Sequence, residues 1–210
     1  MKKVLWSALV VALLLTLLIS GSSCSKTVSV TATPTSTSTL TVTPTPAPTI
    51  TSTTTQSSAN ILVKSPDGSV SLTVPSDWNT NDTSLYPGAI IGVANSTNDE
   101  YVIVTKRPKS DYGASSTIND YMTGVKSVFA AILTNPIWGQ ASSVTIGGCN
   151  GLTTQVTGTR TRDNANLTFF VNALESKNYY YNVCGWTITS AANANKPAIE
   201  NIIKSFKETD

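Results

Sequence analysis

The sequence predicts a mixed α+β domain, an antiparallel sheet with two helices packed against it, preceded by a long N-terminal part that is not globular. Three observations lead there. First, Asn166 to Phe206 reads as two strands and a short helix: NLTFFVNALESK and YYYNVCGWTI are rich in β-branched and aromatic residues, and KPAIENIIKSF carries an apolar stripe. Both strands are apolar on both parities, Leu167, Phe169 and Val171 against Phe170 and Leu174, then Tyr179, Tyr181 and Val183 against Tyr180, Cys184 and Trp186. Strands covered on both faces look like this, so the pair belongs at the centre of the sheet. Second, Thr117 to Thr134 places Ile118, Tyr121, Met122, Val125, Val128, Phe129, Ile132 and Leu133 at helical spacing. Third, the remaining strand-like runs come in neighbouring pairs joined by turn residues, the mark of hairpins.

In chain order, a short strand at Ile61 to Val63 and a second at Val70 to Pro75 flank the turn Ser65-Pro66-Asp67-Gly68. Pro75-Ser76-Asp77-Trp78 ends this hairpin, and Trp78 seats the chain on the core. Gly88 to Ala94 and Tyr101 to Arg107 form another hairpin around Asn95-Ser96-Thr97-Asn98-Asp99. The helix follows, capped by Ser116 or Thr117. Asn135-Pro136 stops it, with Ile137-Trp138-Gly139 continuing as loop. Strands at Val144 to Ile146 and Leu152 to Thr161 are joined through Gly147-Gly148-Cys149-Asn150-Gly151. The second is polar on one parity (Thr153, Gln155, Thr157, Thr159), which gives it one exposed face. The closing helix puts Ile199, Ile202, Ile203 and Phe206 on one side, so that both helices face a single sheet.

The N-terminal part has a different character. Met1 to Ser23 is laid out as a secretory signal: Lys2 and Lys3, the apolar run Val4 to Ile19, then Gly21, Ser22 and Ser23 before Cys24. A cysteine after such a run resembles the lipobox of bacterial lipoproteins, which makes Cys24 the acylated first residue of the mature chain. Two alternatives stand beside this. Gly21-Ser22-Ser23 also fits an ordinary cleavage site, and an uncleaved membrane segment is the third reading, although the run is shorter than the roughly 20 residues a span needs. Ser25 to Ser58 is almost entirely Thr, Ser, Pro, Ala and Val. Such a tract cannot bury enough apolar surface to offset its ordering entropy and is expected to be a disordered stalk. At about 3.1 Å per residue where extended, it reaches up to roughly 100 Å. It is a candidate for O-linked sugars as well as a bare spacer, and Asn81, Asn95 and Asn166 head Asn-x-Thr sequons. The expected organisation is signal peptide 1–23, lipidated cysteine and linker 24–59, and one globular domain 60–210, long enough at about 150 residues for a single buried core.

The opening Val70-Ser71-Leu72-Thr73-Val74-Pro75-Ser76-Asp77-Trp78, the amphipathic helix in mid-chain, the glycine-rich turn before a long meander and the closing Ile203-Lys204-Ser205-Phe206 resemble the PsbP and Mog1 superfamily. The resemblance covers residues 61 to 208. It implies an antiparallel sheet with helices packed on both faces, an α/β/α sandwich. It also implies a non-enzymatic accessory domain, often lipid-anchored, of the PsbP-related kind found in many bacteria. The best-known member assists the oxygen-evolving complex of photosystem II, where metal-related roles have been proposed. This chain contains no histidine, so that role is not carried over.

The residues themselves point away from catalysis. The absence of histidine removes the commonest general base and transition-metal ligand. Asp99-Glu100 and Asp163 fall in turns, where carboxylates serve the local backbone, and no serine sits in a Gly-x-Ser-x-Gly elbow. Gly147-Gly148 lacks the Lys and Ser/Thr of a phosphate loop. Three lysines, Lys2, Lys3 and Lys26, precede the folded part whereas every acidic residue lies after residue 60, so the folded part is near neutral and has no footprint for nucleic acid. Cys149 and Cys184 are expected to be free thiols, because a strand separates theirs and strands two apart exceed the roughly 7 Å Cα reach of a disulfide. Neither a cofactor nor a metal is expected. The candidate binding surface is aromatic: Trp138, Tyr179, Tyr180 and Tyr181.

The resulting expectation is a lipid-anchored, exported accessory or binding domain without catalytic activity, facing outward from the cell membrane on its stalk. Its partner is an envelope protein or a polysaccharide. The alternative is a carbohydrate- or cell-wall-binding module that uses exposed aromatics. Cys24→Ala is expected to move the protein from the membrane fraction to the soluble exported fraction, read by fractionation and immunoblotting. Unchanged membrane association would identify the apolar segment as the anchor. Stable attachment takes two signals, so mass spectrometry is expected to find more than one acyl chain on Cys24.

Overall fold

The computed structural model describes residues 59–80 and 82–209, all within one compact unit, Thr53–Asp210. The signal, Cys24, the linker and the Asn81 sequon lie outside the described residues. The elements are β1 (Asn60–Lys64), β2 (Val70–Pro75), β3 (Ala89–Asn95), β4 (Glu100–Pro108), α1 (Ile118–Ile132), β5 (Leu133–Trp138), β6 (Ser142–Ile146), β7 (Cys149–Arg160), β8 (Asn166–Glu175), β9 (Tyr179–Ile188), α2 (Ala192–Lys204) and β10 (Lys207–Glu208). The architecture is mixed α+β with antiparallel sheets and two helices, as the sequence predicts. The single expected sheet is instead two: β1-β2-β10, and a seven-stranded sheet in the order β3-β4-β9-β8-β7-β5, with β6 also on β7. β8 and β9 lie in its middle.

Four further differences have physical causes. The expected loop after α1 is strand β5, which passes through Asn135-Pro136 by a register break between Thr134 and Ile137, with Asn135 at φ 51°. A proline is tolerated at such a bulge on an edge, where its missing N–H is not needed. The long expected connection between β6 and β7 is only the two-residue turn Gly147-Gly148, with φ 58° and 83°. Both values suit a type I′ hairpin, so Cys149, Asn150 and Gly151 belong to the strand. Helix α2 starts at Ala192 rather than near Lys196: its first turns face solvent and carry no apolar stripe. Strand β10 is too short to show a pattern.

Because successive side chains of a strand point to opposite faces, the two parities of β8 and β9 enter two cores. Phe170, Leu174, Tyr181 and Val183 join Ile199, Ile202 and Ile203 of α2 with Val70, Leu72 and Val74 of β2. Phe169, Val171, Tyr180, Cys184 and Trp186 join Tyr121, Met122, Val125 and Phe129 of α1. Trp78 is buried in the first core, as expected. Val128 and Ile132, assigned to the apolar stripe of α1, are instead exposed at its margin.

Helix α2 can lie this close to the sheet because β9 has a glycine beneath it. A Cβ built on Gly185 stands 2.2 Å from Ile199 Cγ2 and 3.1 Å from the Tyr101 carbonyl oxygen. Glu100 departs from the expectation that acidic residues here sit in solvated turns: it opens β4 and is 5% exposed. Burial raises its carboxyl above the usual carboxylate range, a hydrogen bond from Asn98 opposes this, and the charge of Asp77 adds to it.

Gly185→Ala is expected to destabilise by about 1–3 kcal/mol through overpacking, lowering Tm by roughly 2–10 °C in a thermal melt followed by circular dichroism. For Glu100 the folded state holds its proton to higher pH than the unfolded chain. Its contribution to stability is therefore complete below the unfolded value and lost as pH rises through the raised folded value. Glu100→Gln is expected to melt above the wild type at neutral pH. That difference should close as the pH falls below the ordinary carboxylate range.

Candidate functional site

A groove of about 520 Å³ opens where the start of α1 overhangs the ends of β6, β7 and β8. The helix start is fixed by a capping box: the Thr117 N–H donates to Asp120 Oδ2 at 2.8 Å, and Thr117 Oγ1 accepts from the Asp120 N–H. Two bonds donated to the Asp120 carboxylate, from the Thr117 backbone N–H first and the Thr117 hydroxyl second, hold it below the usual range. Ile118 and Asn119 thus form one wall. The tight turn at Gly147-Gly148 folds β6 back on β7, which adds Ser143, Val144 and Thr145 beside Asn150, Gly151 and Leu152. Glu175 closes the end, with its Oε1 2.5 Å from Lys109 Nζ. Inside, Thr145 Oγ1 donates to Asn150 Oδ1 at 2.8 Å.

Such a volume falls within the usual range for small-ligand sites. The lining offers hydroxyls, two amides, an ion-paired carboxylate and the apolar sides of Ile118 and Leu152, a set suited to hydrogen bonding and shape. Among the described residues no three His, Cys, Asp or Glu side chains come together to hold a metal ion. Cys149 and Cys184 are buried in different cores, and no disulfide joins them. Burial pushes the Cys184 thiol well up, away from the thiolate that nucleophilic chemistry needs.

The aromatic residues singled out from the sequence do not form a surface. Tyr180 and Tyr181 are 1% and 0% exposed. They alternate along β9, so one ring enters each core: Tyr180 stacks on Tyr121 at 4.8 Å, and Tyr181 lies 5.2 Å from Phe206. Tyr179 is half-buried under Lys106 Nζ at 4.1 Å. Trp138, on β5, packs edge-on against Phe129 at 5.5 Å with Lys126 over its ring. It belongs to the margin of the α1 core, whereas Tyr179 borders the other core. The sequence reading missed the groove because its walls come from three separated segments, none with a motif of its own. The one local signal was Gly147-Gly148, which marked the turn but not what it brings together.

No protein-family model matches the sequence, and no curated protein matches it. Among solved structures the chain is similar to PsbP from the cyanobacterium Synechocystis sp. PCC 6803, at 14% identity over 72% of this chain and 94% of that one, with TM-score 0.49. It is also similar to LpqN, involved in cell envelope biogenesis of Mycobacterium tuberculosis, at 14% identity over 72% and 91%, with TM-score 0.49. A third likeness is to PA94 of Pseudomonas aeruginosa, a protein of unknown function, at 10% identity over 70% and 94%, with TM-score 0.44. None supplies a residue role for this chain.

Proposed function

We propose that this chain is an exported, lipid-anchored accessory domain that binds an envelope protein through the groove between α1, β6 and β7 and turns over no substrate. In this reading residues 1–23 are the signal, 24–59 the lipidated Cys24 and the stalk, and 60–210 a domain layered as an α/β/α sandwich. The reading is supported above all by the composition of the groove. Its carboxylate, Glu175, is ion-paired with Lys109, and the remaining polar lining is hydroxyl and amide. A hydrolase or transferase needs a base near its working pH and a group to stabilise developing charge. A chain without histidine has to make that base from a carboxylate or a lysine shifted by burial. The Glu175 and Lys109 side chains are 35% and 30% exposed. A protein partner is preferred to a polysaccharide because the groove has no aromatic platform: of the four aromatics on which the glycan alternative relied, Tyr180 and Tyr181 are buried, and the half-buried Trp138 and Tyr179 border different cores outside the groove lining.

Pull-down from envelope extracts with the full chain is expected to retain a protein that Asn119→Arg, at the rim of the groove, no longer retains. Purified wall polysaccharide is expected not to bind. Reproducible turnover in a hydrolase and transferase screen, abolished by Glu175→Gln, would overturn the non-catalytic reading.

A further inference from the structure

An edge strand presents unpaired N–H and C=O groups to any chain able to pair with them, and most edges are blocked by charge, proline, a bulge or a covering segment. Among the described residues the seven-stranded sheet ends at β3 on one side and at β5 and β6 on the other. The outer side of β3 is covered: Asn79 bridges Ala94, and the Asp82 N–H donates to the Gly92 carbonyl at 3.2 Å. Strand β5 is blocked by Pro136 and the bulge at Asn135. Strand β6 has no such protection among the described residues. Ser142-Ser143-Val144-Thr145-Ile146 pairs with β7 residue for residue, contains neither charge nor proline, and leaves Ser142, Ser143 and Thr145 exposed.

The hairpin decides which of its groups are free. Across a two-residue turn the flanking residues, here Ile146 and Cys149, exchange both hydrogen bonds, and bonded pairs recur at every second residue. Val144 and Ser142 therefore bond to Gly151 and Thr153, their register partners. The N–H and C=O of Ser143 and Thr145 point away from the sheet, and no described backbone group bonds to them.

We propose that this edge docks a second copy of the chain, β6 pairing antiparallel with β6 about a two-fold axis at Val144. The strand is self-complementary about its middle residue. Ser143 meets Thr145 of the second copy in a hydrogen-bonded pair, Thr145 meets Ser143 likewise, and Val144 meets its own equivalent. Every residue of the strand is thereby paired, as an isologous contact requires. Hydroxyl pairs fall on one face and a valine pair on the other, both favourable across strands. The absence of charge on β6 leaves nothing to select an acidic or basic strand over an identical one. Thr145 shares its face with Asn150 and Leu152. The hydroxyls of the second copy therefore extend the floor of a groove whose walls a single chain already supplies.

The test uses the full chain extracted from membranes in mild detergent. At a non-hydrogen-bonded antiparallel pair the Cα atoms are about 4.5 Å apart, so Val144→Cys places two thiols within disulfide reach. Ser142→Cys places them four residues apart, roughly 13 Å, which is beyond it. Mild oxidation is expected to give a covalent dimer with Val144→Cys and only the wild-type background with Ser142→Cys. Light scattering is expected to show a wild-type dimer that Thr145→Pro converts to monomer, with the circular dichroism spectrum unchanged. That proline removes an outward N–H and no bond to β7. If it impairs folding, Val144→Lys sets like charges directly opposite and is expected to give the same monomer. A monomeric wild type, equal cross-linking at both positions, a dimer that survives these variants, or cross-linking of Val144→Cys to a different protein would each overturn the proposal. The groove of a single copy, and with it the proposed binding function, does not depend on that outcome.

Discussion

The structure depends on the burial of β8 and β9 from both sides. Two strands that carry large apolar side chains at both odd and even positions cannot leave either face to water, and each face requires its own cover. Helix α1 brings Tyr121, Met122, Val125 and Phe129 to one. Helix α2 and β2 bring isoleucines, valines and Leu72 to the other. At about 25 cal/mol per Å² of apolar surface removed from water, this double coverage is the dominant favourable term. Gly185 marks how close the cover comes, since no other residue fits under Ile199.

The second cover is held in place by polar contacts at the C-terminus. Ser205, just after α2, accepts from the Thr73 N–H at 2.8 Å through its hydroxyl, which pins the helix end to β2. Phe206 is then buried against Tyr181, and Glu208 accepts from the Tyr181 hydroxyl at 2.7 Å and from Ser176. The Ser-Phe at the end of the closing helix thus has a physical meaning: one residue satisfies the backbone of β2 while the next fills the core. Lys106 ties the β1-β2 turn to the large sheet by reaching Asp67, Ser69 and the Tyr179 ring. The carboxyl of Asp67, held by Ser65 and Ser69 before Lys106, lies well below the usual range.

The groove and the open edge of β6 share one origin, the Gly147-Gly148 turn. A tight hairpin there lays β6 along only the first part of β7 and leaves the rest of that edge to β5. The short strand, the overhanging helix start and Glu175 then leave a recess that the core does not fill. Its lining is mainly polar, and an unpaired backbone edge lies beside it.

By itself the sequence determined the mixed α+β class and most of the elements, though not β5, β10 or the division into two sheets. Period-two and helical patterns extend over most of the domain, and double-parity strands identify the sheet centre from residues such as Phe169 and Phe170 alone. It also excluded chemistry that uses histidine, since a chain without histidine lacks it in any fold. Only the tertiary structure decided that Tyr180 and Tyr181 are core rings rather than a surface, because alternation along one strand sends neighbours to opposite faces whose covers lie far away in sequence. It alone decided that Pro136 sits in an edge strand, that Glu100 is buried and that Ser143, Asn119 and Glu175 meet. Each of these follows from contacts between distant segments, and local propensity contains no information about which segments will be neighbours.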